Sequence, residues 1–205
     1  LEFRRVLFRS SKLLSGYDFI SDTSTANDGG GRDSDPSDPG DWITSSENAS
    51  GTFKDCDVGN SSWHGTRTAS LIGAATNNGV GMAGVAPNVM ILPVRVLGKC
   101  GGYDSDIQAA MRWAAGLTGT GVATNPNPAR VINMSLGASG SCSTAYQSVV
   151  TELTAAKVAV VAAAGNDGLA VGVPANCSGV IAVAGVRHTG TKVGYSNLGP
   201  QVTIA

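Results

Sequence analysis

Residues 158–166, Val-Ala-Val-Val-Ala-Ala-Ala-Gly-Asn, form the most apolar run of the chain. The run is short, begins with β-branched residues and stops at a glycine. That pattern predicts a buried strand over Val158–Ala164. Outward from it, structure types alternate. A helical pattern over Ser143–Ala156 precedes it, and a short strand over Val131–Met134 precedes that helix. Further strands are predicted over Val180–Val186 and Gln201–Ala205. Towards the N-terminus, Asp104–Leu117 is amphipathic, with Ile107, Met111, Ala114 and Ala115 inward and Asp104 or Ser105 as N-cap. Asn88–Leu97 predicts a buried strand. His64–Thr76 predicts a helix with Ala69, Ile72 and Gly73 on its packed side. Strands alternating with helices imply an α/β fold with a mainly parallel sheet flanked by helices.

Bulk composition fits this class. The chain has 205 residues, 42% hydrophobic, only 14% charged, with 28 glycines. Low charge and ordinary hydrophobicity argue against disorder. A net charge of -1 gives no electrostatic reason to expect nucleic acid or an anionic membrane as partner. No apolar run has the length of a membrane span. The opening segment, residues 1–11, is basic without the apolar core of a signal peptide, and its composition breaks sharply from that of the adjoining chain. It is expected to be foreign to a domain occupying residues 12–205.

Ser15–Trp42 is acidic and punctuated by glycine and proline, which predicts an extended surface loop. Ser45–Ser62 is expected to continue as loop. Asp28, Asp33, Asp35, Asp38 and Asp41 offer hard oxygen ligands, so a structural calcium ion is a candidate there. The four cysteines lack a zinc-type spacing and allow three pairings. Pairing in chain order, Cys56–Cys100 and Cys142–Cys177, closes two separate loops and would indicate an oxidising compartment.

Ligands of parallel sheets bind beyond the carboxyl ends of the strands. Three places therefore matter: Gly98–Gly102, Ser135–Gly137, and Gly165 with Asn166. His64 opens its helix in Trp63-His64-Gly65-Thr66, with no bulky residue after it. A histidine so placed can serve as general base near neutral pH. Asn166 puts a carboxamide donor where it can stabilise a developing oxyanion. The GxGxxG pattern at Gly79–Gly84 follows a helix and precedes a strand, the wrong context for a dinucleotide. His188 is expected in a solvated loop.

Four stretches in order, HGTRTASLIGA (64–74), GVAPNVMILPVRVL (84–97), VINMSLG (131–137) and VVAAAGN (160–166), resemble the subtilisin-like serine proteases, or subtilases. The likeness runs from about Ser15 to Ala205. The acidic stretch GYDFISDTSTANDGGGRDSDPSDPGDW (16–42) and the cysteine positions are most similar to secreted subtilases of Gram-negative bacteria. The resemblance implies a three-layer subtilisin-like fold, here truncated at both ends. It implies a monomeric serine endopeptidase acting on proteins and peptides by Ser-His-Asp acyl transfer, with no cofactor for catalysis. His64 would be the triad base and Asn166 the oxyanion donor. Ser135, Leu136 and Gly137 would border one side of the substrate pocket, and Ala163, Ala164 and Gly165 the other. Gly101 and Gly102 would form the second rim of the peptide groove.

The chain also departs from the family. Its serine motif, Gly-Thr-Ser-Met-Ala, is not in these residues, and neither is Asp-Thr-Gly or Asp-Ser-Gly before His64. Asp22 follows an apolar pair, but its surroundings resemble the family stretch downstream of the triad aspartate. The 205 residues by themselves are therefore expected to be inactive, though the parent should be active. Arg67 stands where the family usually has histidine, and Ser70 where it usually has glycine. A lipase or esterase would need a GxSxG elbow, which these residues lack; the reading that stays open is a catalytically dead subtilase-like binding module.

Overall fold

The computed structural model describes residues 12–79 and 81–205. The segment expected to be foreign, residues 1–11, lies outside the described residues. The chain divides into two compact units, with the division between Ala110 and Met111.

The first unit contains a parallel pair, β1 (Tyr17–Asp18) and β2 (Val94–Arg95), in the register Tyr17↔Val94 and Asp18↔Arg95. The strand predicted over Asn88–Leu97 thus contracts to two paired residues, with an isolated parallel bridge from Leu13 to Ile91. Pro93 explains part of the contraction. It has no N–H for a ladder, although its carbonyl accepts the Tyr17 amide at 3.2 Å. The surface-loop expectation for Ser15–Trp42 fails at its start. Asp18, Phe19 and Ile20 have no exposed surface. They are held in the interior because β1 pairs with β2 and Arg95 carbonyl accepts the Phe19 amide at 2.8 Å.

Short helices come next. Helix α1 (Thr23–Ala26) is one turn, N-capped by Asp22, whose carboxylate accepts the Thr25 amide at 2.7 Å. Asp22 is therefore a cap. Helix α2 (Ser45–Ala49) stands where loop was expected. Its signal was in the sequence: Thr44 and Glu47 form a reciprocal capping box. Helix α3 (His64–Gly73) ends before the predicted Thr76 because Ala74 turns to φ -54°, ψ 146°. Ser70, in the usual glycine position, is buried, and its hydroxyl donates to the Thr66 carbonyl at 2.7 Å. That bond satisfies the extra polar atom within the helix. Helix α4 (Asp104–Ala114) begins in the first unit and buries Ile107, Met111 and Ala114, as its periodicity predicts.

The second unit is built on four parallel strands in the order β3 (Val131–Met134), β4 (Ala159–Ala163), β5 (Ile181–Val183) and β6 (Val202–Ile204). Helix α5 (Thr144–Ala155) connects β3 to β4 and packs on β4. Ser143 caps it by accepting the Tyr146 amide at 3.2 Å. Tyr146, Val149, Val150 and Leu153 recur at helical spacing and are buried. Val149, Val150 and Leu153 each contribute roughly 1.5–3 kcal/mol relative to exposure. Along β4, Val160 and Ala162 are buried and alternate with half-buried neighbours.

Candidate functional site

In the first unit, His64 is the first residue of α3 and is exposed. The residue before it, Trp63, lies in the left-handed region at φ 49° and gives no side-chain cap. Ser62 compensates: its Oγ accepts the His64 amide at 3.3 Å. Asp41 orients that hydroxyl. Its Oδ1 accepts the Ser62 amide and its Oδ2 accepts the Ser62 hydroxyl, both at 2.6 Å. The single hydroxyl proton goes to Asp41, which leaves Ser62 lone pairs for His64. Partial burial pushes the Asp41 carboxyl up, but the Ser62 hydroxyl and amide outweigh it and hold it below 3.8.

Gly101 and Gly102 belong to a tight turn in the same unit. Gly98 and Gly101 exchange backbone hydrogen bonds at 2.9 and 3.3 Å. Gly101 has φ 113°, a conformation that favours glycine, and space beside its Cα is open. Two anchors hold the turn. Cys100 is bridged to Cys56, Cα to Cα 5.7 Å. The buried Lys99 ammonium pairs with Glu47 and lies over the rings of Trp42 and Phe53, 4.9 and 5.1 Å from their centroids. The bond from Lys99 and those from Thr44 lower the Glu47 pKa from 4.5 to about 2.

In the second unit, β3 and β4 end side by side, with Met134 opposite Ala162. Ser135–Gly137 and Ala163–Gly165 therefore leave adjacent strands at the same carboxyl edge. The chain at 171–173 lies against both segments. Ala138 and Val173 exchange backbone hydrogen bonds, each 2.9 Å, and the Gly172 amide donates to the Ala164 carbonyl at 2.9 Å. A side chain at position 137 would meet the Val173 carbonyl, 2.7 Å from an added Cβ. The Cys142–Cys177 bridge, Cα to Cα 5.1 Å, staples the loops behind this edge. Beyond Gly165, Asn166 is exposed.

The family model of the subtilases matches residues 15–205. The chain belongs to the subtilase family. It is 48% identical over 198 residues to an "Extracellular protease" of Xanthomonas campestris pv. campestris, covering 96% of this chain and 33% of that protein. It is 43% identical to an "Extracellular basic protease" of Dichelobacter nodosus, with the same coverage. A solved protease of Pseudoalteromonas arctica superposes with TM-score 0.86 at 46% identity, covering 96% of this chain and 59% of that one. The α/β fold of this subtilase chain is thus subtilisin-like, and the chain spans about a third of the length of these curated relatives. No helix among the described residues is long and apolar enough to cross a membrane.

The acidic residues of the subtilase chain are engaged with several separate partners. Among the described residues, no group of three or more His, Cys, Asp or Glu side chains is arranged to hold a metal. Asp28 and Asp38 instead face the Arg95 guanidinium at 2.8 and 3.4 Å. Asp33 accepts the Asp35 amide, and Asp35 the Ser37 amide, at 2.7 and 3.0 Å. Asp41 is engaged with Ser62. The loop carries its own cation in Arg95.

Sequence reasoning missed two side chains that organise these segments. Asp41 was read only as a metal ligand, although its partner Ser62 sits two residues before His64. Asn197, in Tyr195-Ser196-Asn197-Leu198-Gly199, lies in a stretch to which no element or motif was assigned. In the subtilase structure it is buried against the loop that carries Asn166.

Proposed function

We propose that the whole protein carrying this chain is a secreted serine endopeptidase that cleaves proteins and peptides by Ser-His-Asp acyl transfer. The observation that carries the reading is the sheet edge of the second unit. Ser135–Gly137 and Ala163–Gly165 lie on adjacent strand ends, and the second leads directly to the exposed Asn166. An extended peptide can add to such an edge through main-chain bonds. His64 accepts the proton of the attacking serine hydroxyl and later returns it to the leaving amine. Asn166 Nδ2 donates to the oxygen that becomes negative in the tetrahedral intermediate. In this reading the serine and the triad aspartate are supplied by other parts of the whole protein. Two disulfides fit an extracellular setting.

The test uses the full-length protein with a chromogenic peptide substrate. The unaltered enzyme should hydrolyse it and be silenced by a covalent serine-directed inhibitor. His64→Ala should lower kcat by about 10⁵-fold or more. Undiminished turnover by His64→Ala, or indifference to the inhibitor, would reject the reading.

A further inference from the structure

We propose that Asn197 is a positioning residue for oxyanion stabilisation, because its buried side chain fixes the loop that presents Asn166. The proposal rests on the reading of Asn166 as the oxyanion donor. Only 1% of Asn197 is exposed. Its Oδ1 accepts the amides of Asp167 and Leu169 at 2.8 and 3.0 Å. Its Nδ2 donates to the Ala170 carbonyl at 2.9 Å. Its backbone amide donates to the Gly165 carbonyl at 3.0 Å. These four bonds bracket Asn166 on both sides.

The loop needs such a partner. After the Ala164 amide bonds the Val183 carbonyl at 2.9 Å, it enters neither helix nor strand, so the amides that follow have no ladder of their own. The chain around Asn197 supplies the partners. Tyr195 carbonyl accepts the Gly168 amide at 2.7 Å, and the Leu198 amide donates to the Leu169 carbonyl at 2.9 Å. Asn197 also packs directly on the backbone preceding Asn166. Gly165 has φ 117°, and a Cβ added there would collide with the Asn197 carboxamide.

Only a carboxamide makes this set of bonds. It accepts twice at one atom and donates at the other. Aspartate keeps the two acceptor bonds but turns the contact with the Ala170 carbonyl into a repulsion. Alanine loses all three side-chain bonds. Asn166 can stabilise an oxyanion only if its donor is already aimed, and a misplacement of about 1 Å can cost about 10²-fold.

The experiment is a double-mutant cycle on the full-length enzyme, reading kcat and KM for a peptide anilide. Asn166→Ala should lower kcat about 10²- to 10³-fold with little change in KM. Asn197→Ala should lower kcat about tenfold or more, again with KM nearly constant. In the Asn166→Ala background, the same change should alter kcat by less than about twofold, since the group it positions is gone. Equal losses in both backgrounds, or an unchanged kcat for Asn197→Ala alone, would overturn the proposal and leave the protease reading intact. An unchanged kcat for Asn166→Ala would remove the oxyanion reading and this proposal with it. If Asn197→Ala does not fold, Asn197→Asp takes its place. It should show a smaller kcat loss that again vanishes without Asn166, and a loss that persists overturns the proposal.

Discussion

Asp41 holds Ser62 with both carboxylate oxygens, 2.6 Å to the amide and 2.6 Å to the hydroxyl, and so fixes the residue that receives the first amide of α3. Helix entry at His64 therefore depends on a carboxylate more than twenty positions upstream. Asp41→Asn should destabilise the folded protein at pH 7 by about 1–2 kcal/mol, as a partly exposed charged hydrogen bond would. The Asp41 pKa is depressed below 3.8, so this contribution is present above 3.8 and fades as pH falls through the lowered folded value. Urea unfolding of both forms at pH 7 and near pH 3 should show the gap narrowing. A gap of constant size would contradict the assignment.

Arg95 and Asp18 form a buried pair at 2.5 Å, with side-chain exposures of 5% and 0%. Arg95 also donates to the Ala26 carbonyl, while its Nε has no hydrogen-bond partner. Arg95→Met would strand Asp18 in the interior, and a loss of about 3–5 kcal/mol is expected. Arg112 and Glu152 make a comparable contact at 2.6 Å, but with 27% and 41% exposure. Arg112→Ala should cost less than about 1 kcal/mol. Denaturant unfolding of both variants checks the ranking, and a reversed order would show that burial does not govern these pairs.

Glu47 links α2 to the turn that carries Gly101. Its pKa falls from 4.5 to about 2 through bonds from Lys99 and Thr44. A carboxyl with a depressed folded pKa stabilises above its unfolded value and loses that stabilisation as pH falls. Between pH 4.5 and about 2, the melting temperature of Glu47→Gln should therefore decline less steeply than that of the unaltered protein. Identical slopes would mean that Glu47 titrates normally.

The aspartates at 33 and 35 cap their own turns, each accepting an amide two residues on. Asp33→Asn and Asp35→Asn retain an acceptor oxygen. Neither should change the shift in melting temperature between calcium and a chelator. A smaller calcium response in either variant would restore this loop as a metal site.

Much of this was legible from local pattern. The apolar run ending in Gly165-Asn166 announced a strand within the sheet and where it stops, because a strand buried on one face and half-buried on the other favours a continuous run of small and β-branched residues. The spacing of Ile107, Met111 and Ala114 announced which face of α4 is buried. Chain-order pairing of the cysteines is what the structure shows.

Other features depended on partners that no local pattern names. The acidic start at Asp18–Ile20 looked solvated, yet it is interior because Arg95, 77 positions away, supplies the countercharge. The role of Asn197 arises from a loop 30 positions earlier. Periodicity reports which side of an element is apolar. A buried polar side chain is placed by the one distant group that satisfies it, and only the folded chain brings that group within hydrogen-bonding reach.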